Sequence, residues 1–312
     1  PLFNKNQMGT QLTGIAVQQG GVRTSAVITE LDLRRSVASQ YIVVFADQRA
    51  LEFAESRVRL LAEEEQVLKH LAEQGLYQRT DLLNLQVSLQ AQRIAARQAQ
   101  ALFRNDLYAL NQLCGIQDTT SMRLLPPDLV PADGFDAGAS PVMQQFHLDS
   151  VGNTIADRTI DLAYKARLNA TGDLGVSAIT LADVPQRYGG SVGLNLSVPI
   201  YDGRQRRLEH DRIALREQSR QAYRTFYLDQ LTQRHQQFRE ALRRADALLA
   251  DLQTQSTEEE RLIALYRLEL ERGLVRLTDL FLVLNNHAAT VSALIQSEAD
   301  RARIINDLIH LK

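Results

Sequence analysis

Two aspartates occur in the same eight-residue setting. Gly75-Leu-Tyr-Gln-Arg-Thr-Asp-Leu82 and Gly273-Leu-Val-Arg-Leu-Thr-Asp-Leu280 share five of eight residues at an offset of 198. A Thr or Asp at a helix start accepts hydrogen bonds from the free backbone N–H groups there. Thr80, Asp81, Thr278 and Asp279 therefore read first as residues that open a helix. Gly75 and Gly273 supply the backbone freedom that a left-handed helix end needs. The other reactive residue types form no comparable pattern. The six histidines (70, 147, 210, 235, 287 and 310) show no metal-ligand spacing. The single cysteine, Cys114, has no nearby histidine in sequence and gives no nucleophile argument. No phosphate-binding glycine loop, Walker lysine or nucleophile elbow is present. The expectation is a protein that is not an enzyme and takes neither a cofactor nor a metal.

The elements that carry the two motifs are long. Residues 204–272 contain neither Gly nor Pro. As one helix they would extend on the order of 100 Å, at about 1.5 Å per residue. A compact domain of 312 residues has no room for that. Phe3 to Gly75 and Tyr201 to Gly273 span the same 72 residues, and runs free of Gly and Pro follow at 76–114 and 274–312. Each repeat reads as strand end, long helix, turn and returning helix. The seams have a seven-residue step: Leu228, Leu242, Leu249, Ile263 and Leu270, with Leu231, Phe238, Ala245, Leu252 and Tyr266 three positions on. His235, Ser256 and Glu259 interrupt them, and His287 falls on the seam of the returning helix. Antiparallel coiled-coil hairpins follow. Gly9, Gly14, Gly20 and Gly21 disturb this pattern, because Gly costs about 1 kcal/mol relative to Ala inside a helix. Residues 5–24 are expected to be a distorted or partly extended start. Pro1-Leu-Phe-Asn4 matches Pro199-Ile-Tyr-Asp202, so the chain is expected to open inside its first repeat, N-terminally incomplete.

Composition narrows the function classes. Ala, Leu, Gln, Arg and Glu dominate, aromatics are 6% and there is no Trp, which suits long helices. A net charge of −2 gives no argument for nucleic acid. No run of 18 apolar residues exists to make a transmembrane helix.

Between the repeats the period changes. Residues 124–131 form a loop around adjacent prolines, and residues 141–164 read as a shorter helix with Pro141 in its first turn. Leu168, Ala170, Leu174, Val176 and Ala178 then alternate with polar residues, as do Val192, Leu194, Leu196 and Val198. Residues 182–190 join them as a turn. Two readings of this strand pair stand on periodicity alone. One is a hairpin with its apolar face on a soluble core. The other is a transmembrane hairpin, since spanning strands need about 9–11 residues. The helices are already engaged in their own seams and leave little core for the first reading. Two strands cannot close a barrel, because an open edge in lipid leaves backbone groups unsatisfied. A membrane hairpin would have to be shared among subunits.

Ser191-Val-Gly-Leu-Asn-Leu-Ser-Val-Pro-Ile-Tyr-Asp-Gly203 resembles the strand-to-helix signature of the TolC-like outer-membrane efflux proteins, and the repeated Gly-Leu-x-x-x-Thr-Asp-Leu is similar to their helix-tip motif. The resemblance covers most of the chain. It implies a homotrimer in the outer membrane, with twelve shared strands in one β-barrel in lipid and a long periplasmic α-barrel below. The trimer would be an exit duct of a tripartite efflux pump or type I secretion system. Its partners would be a periplasmic adaptor (membrane fusion protein) and an inner-membrane transporter. It further implies that Thr80, Asp81, Thr278 and Asp279 line the periplasmic mouth, with Asp279 in a carboxylate ring, and that Gly75, Leu76, Gly273 and Leu274 form the adaptor-facing tip. Pro199, Asp202 and Gly203 would turn strand into helix. His287 would be packed or lumen-facing. The chain departs from the family at Leu282, where one branch has a second carboxylate, and at Leu168-Asn169, where a proline is common. The alternative reading is a soluble coiled-coil scaffold or periplasmic adaptor.

The expected fold is mainly α with a β-hairpin, divided at 1–4 (remnant of a first-repeat strand), 5–115 (first helical hairpin), 116–165 (loop and equatorial helix), 166–202 (transmembrane β-hairpin) and 203–312 (second helical hairpin).

Overall fold

A computed structural model describes residues 5–118, 120, 122–131, 134–176 and 188–311. Among them are five α-helices and two strands: α1 (Lys5–Glu73), α2 (Arg79–Cys114), α3 (Pro141–Ala163), β1 (Arg167–Val176), β2 (Tyr188–Ser197), α4 (Gln205–Glu271) and α5 (Leu277–Ile309). A 3₁₀ turn at Ala137–Ala139 precedes α3. The chain is mainly helical with one β-hairpin, as the sequence patterns require. Residues 1–4, matched to the second strand end, Ala178 of the first alternating run, and 182–187 of the turn between the strands lie outside the described residues. Among the described residues no helix is long and apolar enough to cross a membrane.

The helices and strands group into two units. The first holds Pro1–Thr29 and Asp136–Leu231, the second Glu30–Phe135 and Thr232–Lys312. In the first unit α1 is regular helix from Lys5 onward, so the glycines do not distort it. The reason is tertiary. A Cβ built on Gly20 would sit 3.2 Å from Leu148 Cδ2, and one on Gly14 would sit 3.8 Å from Ile155 Cγ2. The small residues let α3 approach the α1 backbone, and that packing offsets their poor helix propensity.

Ser140 caps α3 by accepting from Val142 N–H at 3.2 Å, with Pro141 at the first helical position. Polar groups also join α3 to α4. Glu217 accepts from both Arg220 Nε (2.8 Å) and Nη2 (2.6 Å), and also from Asn153 Nδ2 at 3.0 Å. Those donors, Arg220 first, hold the Glu217 carboxyl down to about 2.

Among the described residues the core of the second unit includes two clusters. Near the turns, Leu61 and Leu68 of α1, Leu85 and Leu89 of α2, Ile263 and Leu270 of α4, and Leu277, Leu280, Val283 and Leu284 of α5 pack together. Farther along, Val44, Phe103, Leu107, Leu110 and Leu124 form the other. Leu124 belongs to the extended segment after α2. Its backbone N–H donates to Gln48 Oε1 at 2.7 Å, and Gln48 Nε2 returns a bond to its carbonyl at 3.3 Å. At the end of the segment Phe135 stacks on His235, with ring centroids 4.1 Å apart. The histidine that interrupts the seven-residue seam is therefore used to hold this strap.

Asp47 of α1 meets Asp106 of α2. Burial and the neighbouring carboxylate push Asp47 up to about 7, with Arg303 pulling it the other way. A carboxyl raised in the folded state stabilises fully below its unfolded pKa, and that stability is lost as pH rises through the folded value. Thermal melts of the native chain should therefore fall between about pH 4 and pH 7. In Asp47→Asn that slope should flatten.

Candidate functional site

The two turns that join the helix pairs are built alike. At the first, Gly75 has φ +80° and its N–H donates to Ala72 O at 3.1 Å, while Leu76 N–H donates to Leu71 O at 3.0 Å. At the second, Gly273 has φ +70°, with Gly273 N–H on Leu270 O at 2.9 Å and Leu274 N–H on Glu269 O at 2.9 Å. Both are Schellman endings that satisfy the last carbonyls of the outgoing helix. Leu76 and Leu274 are left 56% and 69% exposed at the two turns.

The returning helices open less symmetrically. Gln78 is the residue that flanks α2, and Asp81 Oδ2 reaches back to accept from its N–H at 3.1 Å. Asp81 is thus the third-residue partner of a capping box. Asp279 holds the equivalent place after Arg276 but makes no such bond, and its carboxylate is exposed. Thr80 and Thr278 are exposed as well, Thr80 bonding Gln78 Oε1 at 3.3 Å. Of the four, only Asp81 spends its side chain on the helix start.

Two contacts at the turns are not visible in either motif. Tyr77 donates its hydroxyl to Val275 O at 2.8 Å, tying the first turn to its own repeat equivalent in the second. Arg267 Nε of α4 lies 2.5 Å from Glu64 Oε1 of α1, with Glu63 3.4 Å from Nη2. Glu64 is 3% exposed. The repeat carries a signal for it, since the position equivalent to Glu64 is Leu262, and a carboxylate at a leucine site needs a partner.

At the other end of the sequence unit, Pro199 precedes the strand-to-helix turn. Asp202 Oδ1 and Oδ2 accept from the N–H groups of Arg204 and Arg206, both at 3.0 Å. Gly203 at φ +59° and Arg204 at φ +71° carry the chain round. The bonds from Arg206 and Arg204 hold the Asp202 carboxyl below its usual range.

The strand register sorts side chains by chemistry. Leu168 is opposite Leu196, Ala170 opposite Leu194 and Gly172 opposite Val192. On the other face Asn169 is opposite Asn195, Thr171 opposite Gly193 and Asp173 opposite Ser191. The apolar face is bare: Leu174 is 96% exposed, Val192 90% and Leu194 72%. Within the described residues this sheet has only its two strands, so both edges are unpaired. Among the described residues no group of three His, Cys, Asp or Glu could hold a metal ion.

No protein-family model and no curated protein matches the sequence. Solved structures do. A membrane protein from Pseudomonas aeruginosa matches over 97% of this chain and 72% of its own, with TM-score 0.82 and 14% identity. The outer-membrane channel OprN matches over 97% and 70%, with TM-score 0.79 and 16% identity. The outer membrane protein VceC from Vibrio cholerae matches over 99% and 76%, with TM-score 0.80 and 13% identity. At such identities the likeness is one of fold, and the chain has the fold of bacterial outer-membrane channel proteins.

Proposed function

We propose that this chain is one protomer of an outer-membrane exit duct, spanning the lipid with its strand pair and reaching into the periplasm with its helices. The observation that carries this reading is the bare two-faced hairpin. Ten-residue strands with one wholly apolar face and two open edges suit lipid on one side and a polar lumen on the other. Open edges must then be paired by other copies of the chain.

The helices support closure of a ring. In the second unit α1 bonds α2 (Gln40 Nε2 to Asp106 O, 3.1 Å) and α5 (Arg35 to Asp307), and α5 bonds α4 (Arg301 to Asp246). Leucines and valines stay exposed on α2 (Leu83, Val87) and on α4 (Leu262, Leu265). Two unlike apolar faces pair head to tail, and such contacts close into a ring when the rotation permits. A homotrimer is the stoichiometry we assign.

In this reading residues 5–115 and 203–312 are the two periplasmic hairpins, 116–165 the equatorial part and 166–202 the membrane hairpin. The turns at Gly75-Leu76 and Gly273-Leu274 face a periplasmic adaptor, which links the duct to an inner-membrane transporter. Asp279, with no helix-start bond to make, offers a free carboxylate to a cation-attracting ring at the mouth, and Thr80, Asp81 and Thr278 border it. The cargo is small molecules selected by the transporter, and the duct itself performs no catalysis.

Purification of the complete gene product in detergent tests this. A trimer that conducts ions across planar bilayers is expected. A water-soluble monomer that adds no conductance would overturn the reading and favour a coiled-coil scaffold or adaptor.

A further inference from the structure

At one facing pair of positions two buried leucines of one repeat answer to two polar residues of the other. Fourteen residues before and after Gly75 stand Leu61 and Leu89, 5% and 2% exposed. Fourteen residues before and after Gly273 stand Glu259 and His287. Two leucines of the first hairpin are replaced by a carboxylate and an imidazole in the second.

The pair is half made. Glu259 Oε1 accepts from Gln255 Nε2 at 3.0 Å and from Thr290 Oγ1 at 3.1 Å. Its other oxygen, Oε2, lies 3.5 Å from His287 Nδ1, and both atoms are buried without a hydrogen bond. The side chains are only 15% and 14% exposed, so bulk water does little to compensate. From α1, Phe53 sets its ring edge-on to the imidazole at 6.1 Å. The charged neighbour on α1 is Arg57, whose Nη2 donates to Asn285 Oδ1 at 3.3 Å, two positions before His287. The charge in contact with the imidazole is Glu259 from α4.

We propose that Glu259 and His287 form a proton-operated fastener between α4 and α5, where the equivalent positions of α1 and α2 carry Leu61 and Leu89. In the neutral imidazole a proton on Nε2 leaves Nδ1 and Oε2 as two acceptors facing each other, and a proton on Nδ1 gives only a neutral donor, weaker than a charge-assisted one. One proton taken from solvent onto Nδ1 makes that atom a donor. The pair then becomes imidazolium and carboxylate, and its contact becomes a charge-assisted hydrogen bond of about 2.7–2.9 Å. The closure needed is less than about 1 Å, small enough for side-chain adjustment alone. Histidine is the side chain that changes charge between about pH 5 and pH 8. Acidification therefore tightens the α4–α5 contact at these two positions. The device works within one protomer and needs neither assembly nor membrane.

Hydrogen exchange of the full-length chain at pH 5.5 and pH 8.0 tests it, with rates corrected for intrinsic exchange. Peptides around 259 and 287 report on the fastener, and those around 89 are the internal control. In the native chain, protection of the first set relative to the control should rise about tenfold in acid, the scale of one charge-assisted hydrogen bond. The double variant Glu259→Leu/His287→Leu carries the packing of the first repeat and should lose this response. Glu259→Gln keeps the size of the side chain but removes its charge, and should lose most of it too. A flat ratio in the native chain overturns the proposal. So does an unchanged acid response in the double variant or, should that variant not fold, in Glu259→Gln.

Discussion

Replacing Arg267 by Met should destabilise the second unit by about 2–3 kcal/mol at pH 8, the low end for breaking a buried ion pair. Glu64 is 3% exposed, and Arg267 Nε at 2.5 Å is its close counter-ion. Burial raises the Glu64 carboxyl above its ordinary range, Arg267 lowers it, and Glu271 and Glu63 raise it again. Without the guanidinium only the raising influences remain. Protonation then becomes the cheaper way to keep Glu64 buried. A carboxyl with a raised folded pKa stabilises fully below its unfolded value and loses that stability as pH rises through the folded one. The deficit of Arg267→Met should therefore be small near pH 4.5 and largest at pH 8. The figure is reduced because the Arg267 side chain is 40% exposed, so solvent screens part of the pair. Thermal or urea unfolding across that range measures it. Glu64→Leu/Arg267→Met, which installs the leucine found at the equivalent position 262, should recover most of the loss. A deficit equal at both pH values would mean that Arg267 acts through packing of its stem and not through Glu64.

The sequence exposes those features that local chemistry decides. Gly75 and Gly273 stand at the ends of long runs without Gly or Pro, and each takes the positive φ that few other residues tolerate. The strand alternation is equally local, because a period of two fixes which side chains share a face. Gly14 and Gly20 misled for the opposite reason. Propensity counts their cost, but the compensating approach of Leu148 and Ile155 comes from a helix more than 120 residues later. Asp81 and Asp279 look identical in their motifs and stand third in their helices, yet only Asp81 closes a capping box: the flanking residue is Gln78 in one copy and Arg276, which has no acceptor, in the other. Tyr77, Arg267 and the Glu259–His287 pair depend on which helices become neighbours. The repeat offers the one sequence-level hint to them. A leucine in one copy that is polar in the other, as at 61 and 259 or at 262 and 64, marks a place to look for a polar contact between helices.

Leu194 and Asn195 are neighbours in β2 that face opposite ways, and arginine should separate them sharply. Leu194 lies on the apolar face beside Ala170, while Asn195 pairs with Asn169 on the polar face. If the hairpin is in lipid, Leu194→Arg puts a guanidinium into hydrocarbon in every copy. That costs about 2–4 kcal/mol per site near the bilayer midplane. Copies that share one closed barrel suffer the penalty together, so membrane assembly should collapse. Asn195→Arg places the same charge in the polar interior. It should assemble normally and shift conductance or ion preference, since charges lining a pore set its selectivity. Urea-resistant membrane fractions report assembly, and single-channel recordings report the lumen. A soluble hairpin would give another pattern, because Leu194 is already 72% exposed and an arginine there would meet only water. Equal assembly of both variants would thus remove the hairpin from the bilayer. Loss of both would remove the distinction between faces on which the duct reading rests.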